Sequence, residues 1–214
     1  MTRQLRRALP GLPHHVVLRG NNRRKLFSFD YERNNFVRML ATGEPRCDIH
    51  ALCLMSNHVH LIVTPHGNGD LSRFIKHVSQ RYAMKKNSQR RSTGKLFEQR
   101  FWSKAITNTA YLAVATAYVD DNARSAALTL QDNFAWSTCG LHLGIEGTSA
   151  SVSKIWTPSY WYLALGGDDN ARATRYKEWL DSYRAFEEWL DLKECVPTID
   201  AVTSDRRPNG ARVA

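Results

Sequence analysis

Apolar residues recur along this chain with two different spacings. Four short segments are rich in apolar and β-branched residues and mostly lie next to turn residues, which is typical of strands, whereas in longer segments the apolar residues recur every three or four positions, which is typical of helices. Strands are predicted at residues 14–19, 49–55, 58–64 and 101–107, and helices at residues 31–42, 70–87, 110–119 and 171–192.

The order of these elements predicts the fold class. The first six run β-α-β-β-α-β with short connections, and this order is the split pattern of the ferredoxin-like fold. Ser56-Asn57 suits a tight hairpin turn between the second and third strands. We therefore expect an α+β protein: a ferredoxin-like βαββαβ sandwich with an antiparallel sheet and a C-terminal helical extension. The expected divisions are a main α+β domain at 1–140, a helical extension packed on it at 141–192, and a disordered tail at 193–214.

Charge is distributed unevenly between the two halves of the chain. Residues 1–107 contain 20 Lys and Arg against 6 Asp and Glu, a net +14, whereas residues 108–214 carry a net −4. A basic half of this kind indicates a polyanionic partner for that half, although a solvated surface would have the same composition. Aromatic residues close to basic ones, such as Phe97, Phe101 and Trp102, favour single-stranded nucleic acid, which needs both stacking and phosphate neutralisation.

The cysteines and the longest apolar run bear on the cellular location. No apolar run approaches the roughly 18 residues that a membrane span needs. The four cysteines have no CxxC spacing and are interpreted as reduced thiols of a cytoplasmic protein.

Two histidines in the third strand are the first candidate for chemistry. Alternate residues of a strand share a face, so His58 and His60 point the same way, while Val59, Leu61 and Val63 point to the other side. Two imidazoles at this spacing can chelate one divalent ion. The alternative is a pair of unrelated polar residues on a solvent-exposed face.

A tyrosine in the second helix is the candidate nucleophile. Tyr82 falls on the same helical stripe as Leu71, Phe74 and Val78, which predicts that it faces the sheet. A tyrosine in this position is either a core residue or a nucleophile whose phenol attacks a phosphate. Tyr111 and Tyr118 are the alternative nucleophiles, on a helix expected to pack in the outer layer.

Six segments in chain order resemble the single-tyrosine HUH transposases, and among them the REP-associated tyrosine transposases. The central one, LMSNHVHLIV at 54–63, resembles the HUH motif, in which U is a large apolar residue. The others are HVVLRGNNR at 15–23, QRYAMKKN at 80–87, GKLFEQRF at 94–101, YVDDNARSA at 118–126 and Trp136-Ser137. Ser56 and Ala123 stand where the family usually has proline. The resemblance covers about residues 12–140.

The resemblance implies cleavage and rejoining of single-stranded DNA at hairpin-marked ends by a metal-assisted enzyme that forms a covalent 5′-phosphotyrosine intermediate. It implies Tyr82 as the nucleophile and His58 and His60 as ligands of Mg²⁺ or Mn²⁺. A third ligand in this family usually lies about one turn beyond the tyrosine, which favours Asn87, although Asn87 also suits a helix C-cap. The expected DNA-binding residues are Arg19, Asn21, Arg23, Arg24, Lys85, Lys86 and Arg100.

Other functions remain open at this stage. One is a DNA-binding protein of the same fold, domesticated or regulatory, that no longer cuts. Another is a plasmid relaxase or replication initiator, although these usually place the tyrosine before the histidines or use two tyrosines. We expect a nucleoid-associated monomer, and a homodimer is possible because the late stripe formed by Trp179, Tyr183, Phe186 and Leu190 could cover a partner.

Overall fold

The computed structural model describes residues 8–43, 45–98, 100–126, 128 and 132–190, with side chains up to residue 186. The basic cluster at Arg3, Arg6 and Arg7 and the tail predicted at 193–214 lie outside these residues. Three of the four cysteines, Cys47, Cys53 and Cys139, are described and are free thiols. None of the helices in the described part of the chain combines the length and the apolar character of a membrane-spanning segment.

The described residues form four strands and seven α-helices, and the strands and the four long helices follow the predicted order. The strands are β1 (His14–Arg19), β2 (Cys47–Leu54), β3 (His58–Pro65) and β4 (Trp102–Ala105). The long helices are α1 (Asp30–Ala41), α2 (Asp70–Arg90), α3 (Thr109–Ser125) and α7 (Asp169–Leu190). Three four-residue helices that the apolar pattern did not predict lie between α3 and α7: α4 (Cys139–His142), α5 (Ala150–Ser153) and α6 (Tyr160–Leu163).

The strands form one sheet in the order β2-β3-β1-β4, and every neighbouring pair is antiparallel. This order follows from the connections. β2 and β3 form a hairpin, and β1 lies between β3 and β4. Helix α1 connects β1 to β2, and helix α2 connects β3 to β4, so each helix joins two strands that are not neighbours in the sheet. The ferredoxin-like α+β prediction is therefore confirmed.

One face of the sheet carries the main hydrophobic core. Val59, Leu61 and Val63 of β3 pack there together with apolar residues of α1 and α2, and all three are fully buried. The α2 contribution is a stripe at helical spacing: Leu71, Phe74, Ile75, Val78 and Tyr82. The α1–α2 layer thus uses the apolar face of the sheet, as the strand alternation requires.

The opposite face is covered by α3, which packs on β2 and β3. A buried carboxylate, Asp120, connects this helix to the later short helices. It accepts hydrogen bonds from Thr138 Oγ1 at 2.8 Å, His142 Nδ1 at 2.7 Å and Tyr176 Oη at 2.6 Å. Tyr162 Oη donates to the carbonyl oxygen of His142 at 2.9 Å, so α6 joins the same network.

The chain divides into a compact unit of residues 1–177 and a second unit that begins at residue 178, within α7. Residues 141–177, the first part of the predicted extension, therefore lie in the same unit as residues 1–140. In the predicted late stripe Tyr183 is buried and Phe186 is exposed, while the side chain of Leu190 lies outside the described part of the chain.

Candidate active site

The two histidines of β3 lie on the face of the sheet that α3 covers. The rings of His58 and His60 meet edge to face with centroids 4.8 Å apart. Arg19, on the neighbouring strand β1, pairs directly with His58 in the sheet register, and Val17 pairs with His60. The predicted common orientation of the two imidazoles is therefore present in the structure.

Both imidazoles are neutral near pH 7. Burial, with a smaller contribution from the charge of Arg19, lowers the pKa of His58 to about 4. Burial, followed by the charges of His58, His15 and Arg19, holds the pKa of His60 well below its ordinary value. A neutral imidazole keeps a lone pair on one ring nitrogen, which is what ligation of a metal requires.

The hydrogen bonds of each ring indicate which nitrogen is available. His58 Nδ1 lies 2.7 Å from Asn57 Oδ1. His60 Nδ1 lies 3.1 Å from Nε2 of His15. Nε2 of His60 is buried, and no described residue offers it a hydrogen bond. Because a buried polar atom without a partner is costly, this nitrogen is suited to an additional ligand.

A tyrosine of α3 lies against this cluster. The ring of Tyr118 contacts His60 edge to face at 5.4 Å between centroids and contacts His15 at 5.8 Å. The side chain of Tyr118 is half-buried rather than enclosed. Of the three candidate nucleophiles, Tyr118 is therefore the one for which the described residues show a ring contact with the histidine pair.

Tyr82 occupies a different place from the one predicted for the nucleophile. Its side chain is only 2% exposed and packs in the α1–α2 core with Phe27 and Phe36. Its hydroxyl donates to the carbonyl oxygen of Leu26 at 2.8 Å, and burial followed by the charge of Glu32 raises the pKa of the phenol. The sheet separates Tyr82 from His60, because α2 packs on the face of Val59, Leu61 and Val63.

The DNA-binding and metal-binding residues predicted on α2 also lie away from the histidine pair. Lys86 is buried and donates to Glu32 Oε1 at 2.7 Å and to the carbonyl oxygen of Leu26, so it is a core ion pair rather than a DNA contact. Asn87 Nδ2 donates to the carbonyl oxygen of Gly94 at 2.9 Å, on the far side of the sheet from the histidines. Lys85 is exposed but lies in the same α1–α2 layer, where it donates to Asn35 Oδ1.

The other predicted DNA-binding residues converge at the end of the sheet next to His58. The tight turn after β1 includes Asn21, Arg23 and Arg24, and Gly20 is required there because a Cβ would collide with the carbonyl oxygen of Arg24. The amide of Gly20 donates to the carbonyl oxygen of Asn57 at 2.8 Å, which ties the turn to the residue before His58. Arg100 is exposed two residues before Trp102, which pairs with Val17.

Three aromatic residues were predicted to be available for stacking on bases, and their positions differ. Phe97 and Phe101 pack against the main core. Trp102 lies on the histidine face, where its ring meets His15 edge to face at 5.2 Å. Only Trp102 of these three is therefore close to the candidate site.

One further polar side chain follows Tyr118 by one helical turn. Residues four apart in a helix share a face, so Asn122 lies next to Tyr118 along α3. Asn122 Nδ2 donates to the carbonyl oxygen of Tyr118 at 2.6 Å, which leaves Oδ1 as the atom able to bind a cation. His15 and Asn122 were not among the predicted site residues, and Tyr118 was predicted only as an alternative nucleophile, although all three stand in segments that resemble the family.

This chain is similar to one family of proteins and to two solved structures. The family model of IS200-like transposases matches residues 9–122, just over half of the chain. The fold is similar to that of a REP-associated tyrosine transposase solved bound to a REP hairpin, with 19% sequence identity, 74% of this chain and 93% of that chain covered, and a TM-score of 0.54. A candidate transposase from Deinococcus radiodurans has 15% identity over 53% of this chain and 92% of its own, with a TM-score of 0.35. No curated protein sequence matches significantly.

The fold and the match over residues 9–122 define the class of protein. This chain belongs to the IS200-like transposase family, whose members act on DNA. Its sheet carries the histidine pair at the end where the arginine-rich turn lies.

Proposed function

We propose that this protein cleaves and rejoins single-stranded DNA through a covalent 5′-phosphotyrosine intermediate, with Tyr118 in place of Tyr82 as the nucleophile. The observation that carries the proposal is the 5.4 Å contact between the rings of Tyr118 and His60 on one face of the sheet. The two groups come from one chain, which agrees with the monomeric state expected from the sequence.

The proposed reaction is a transesterification at a DNA phosphate. The phenol oxygen of Tyr118 bonds to phosphorus and loses its proton to solvent. The bond from phosphorus to the 3′ oxygen breaks, and that oxygen leaves as a hydroxyl group. The DNA 5′ phosphate remains joined to the protein until the 3′ hydroxyl of a strand attacks it and restores the phenol.

Mg²⁺ or Mn²⁺ is the cofactor expected for this reaction. No group of three or more His, Cys, Asp or Glu side chains among the described residues is arranged to hold a metal. The donors that fit are two imidazoles and an amide oxygen: His58, His60 through its unpartnered Nε2, and Asn122 through Oδ1. A bound divalent ion would polarise the phosphate and stabilise the charge that develops on it.

The arginines beside His58 are suited to the DNA backbone on either side of the cleaved phosphate. Arg23 and Arg24 are exposed on the turn that leads away from the site, and Arg19 lies opposite His58. Trp102 is suited to stack on an unpaired base. We propose a hairpin with a single-stranded flank as the substrate, by analogy with the hairpin bound by the similar transposase.

The test is covalent adduct formation with a 5′-extended hairpin oligonucleotide labelled on the 3′ side of the expected cut, resolved on a denaturing gel. Wild-type protein is expected to form the adduct in Mn²⁺ or Mg²⁺. Hairpin binding without any adduct in either ion would contradict cleavage and support a catalytically silent DNA-binding protein.

Metal removal gives a separate prediction. Adduct formation is expected to stop in EDTA and in His60→Ala, and to return in EDTA-treated wild type when Mn²⁺ is restored. Hairpin binding should persist in both cases, because affinity comes mainly from phosphate contacts. Adduct formation at the wild-type rate in EDTA would contradict metal assistance.

Arg23 and Arg24, on the tight turn after β1, give a prediction about the salt dependence of DNA binding. In the Arg23→Ala/Arg24→Ala variant, the slope of log affinity against log salt should become shallower by about one and a half to two units, as expected for two lost phosphate contacts. Arg38 and Lys154 provide a control, because both border a cavity that Cys47 and His66 also line, at the end of the sheet away from His58. An equal change in the Arg38→Ala/Lys154→Ala variant would contradict the placement of the DNA.

A further inference from the structure

His15 has a position in the site that the proposed reaction leaves unused. It lies on β1, it is 4% exposed, and its Nε2 is 3.1 Å from Nδ1 of His60. The His15 ring also stacks on the His60 ring at 5.4 Å between centroids. Trp102 and Tyr118 hold it edge to face from two further sides, at 5.2 and 5.8 Å.

The contact between the two histidines allows only two arrangements of protons. In a neutral imidazole one nitrogen donates and the other accepts, so one of the two facing atoms carries the hydrogen. If His60 Nδ1 donates to His15 Nε2, then His60 Nε2 keeps a lone pair. If His15 Nε2 donates instead, then His60 Nε2 carries a hydrogen.

The environment of His60 Nε2 favours the first arrangement. This atom is buried, and no described side chain or carbonyl group accepts a hydrogen bond from it. A buried N–H group without an acceptor is rare, and an unpaired acceptor is better tolerated. Only the first arrangement also presents a lone pair to a cation, because a protonated Nε2 cannot act as a ligand.

We infer that His15 is a positioning residue whose Nε2 accepts the Nδ1 proton of His60 and thereby fixes the tautomer and ring orientation in which His60 Nε2 can bind the cation. This inference rests on the proposed function for its metal and extends it to a residue outside the ligand set. Acceptors of this kind behind a metal-bound histidine typically contribute about 10–100-fold to metal affinity.

The same ring also connects the histidine pair to the nucleophile. His15 packs against the ring of the ligand His60 and against the ring of Tyr118 at the same time. A residue that filled this space without accepting a hydrogen bond would maintain the packing and lose the tautomer. Phe and Gln at this position therefore separate the two contributions.

The experiment compares His15→Phe and His15→Gln with wild type. Mn²⁺ affinity is measured by electron paramagnetic resonance, and the ring tautomer of His60 in metal-free protein by ¹⁵N NMR of histidine-labelled samples. His15→Phe is expected to weaken Mn²⁺ binding by about 10–100-fold, while His15→Gln, which keeps an acceptor, should remain close to wild type. His14→Phe is the matched control, since His14 is the adjacent residue on β1, points to the other face and bonds to Leu9 and Leu12.

Two results would overturn the inference. The first is an Nε2–H tautomer of His60 in the metal-free wild type, a measurement that does not depend on DNA cleavage or on metal binding. The second is Mn²⁺ affinity in folded His15→Phe equal to that of wild type. The covalent adduct assay tests the proposed function separately, so a failure of either can be distinguished.

Discussion

Replacing Tyr118 by Phe is expected to abolish the covalent protein–DNA adduct, a loss on the order of 10⁴-fold or more in cleavage rate. The substitution removes the attacking oxygen and leaves the ring that packs on His60 and His15. The fold and hairpin binding should therefore be retained. The measurement is single-turnover adduct formation, with hairpin affinity measured in parallel.

Tyr82→Phe is the matched control for this prediction. It removes one hydrogen bond to the carbonyl oxygen of Leu26, which Lys86 also contacts, and should cost about 1 kcal/mol of stability. Adduct formation by Tyr82→Phe is expected to stay close to that of wild type. If the adduct were lost in Tyr82→Phe and retained in Tyr118→Phe, the nucleophile would be Tyr82 and not Tyr118.

The second large effect is expected at the buried ion pair between Glu32 of α1 and Lys86 of α2. Glu32→Ala would leave the ammonium group of Lys86, which is 1% exposed, without its carboxylate. Removing one partner of a buried pair typically costs about 3–5 kcal/mol, so the free energy of unfolding should fall by that amount. Urea denaturation followed by circular dichroism measures the change.

An exposed ion pair on α1, the helix that carries Glu32, is the control. Asp30 is 72% exposed and lies 3.4 Å from Arg33, and Asp30→Ala should cost no more than about 1 kcal/mol. Lys86→Met adds a test of function, since it should lower stability while leaving the salt dependence of DNA binding unchanged. A shallower salt slope in Lys86→Met would mean that Lys86 does contact DNA.

Most of the secondary structure could be predicted because the strands are short apolar-rich segments mostly next to turn residues and the long helices have apolar residues every three or four positions. β1 begins and ends at the predicted residues, and α2 begins at the predicted Asp70. The short helices α4, α5 and α6 have only four residues each, which is too few for a helical period to become visible. Their positions depend instead on long-range bonds, such as that from Tyr162 to His142, which no local pattern contains.

The histidine pair could be located from the sequence, but the predicted nucleophile was on the wrong face of the sheet for the geometry seen here. Alternation already placed His58 and His60 opposite Val59 and Leu61. A continuous apolar stripe that ends in Tyr82 packs on the apolar face, so the same rule would have separated Tyr82 from the histidines. The contact of Tyr118 with His60 depends on which face α3 covers, and the periodicity of α3 alone does not define that face.

The hydrogen bonds of Asp120 also decide how much of the chain a catalytic fragment must contain. The family match ends at residue 122, whereas two of the three donors to this carboxylate, His142 and Tyr176, follow residue 140. A fragment that stopped at residue 140 would keep His58, His60 and Tyr118 but would lose two of the three donors to Asp120. The helix that presents Tyr118 would then lose part of the hydrogen bonding that holds it in place, two residues from the phenol. We therefore expect a stable fragment that contains this site to extend to about residue 177, the end of the first compact unit and well beyond the recognisable motifs.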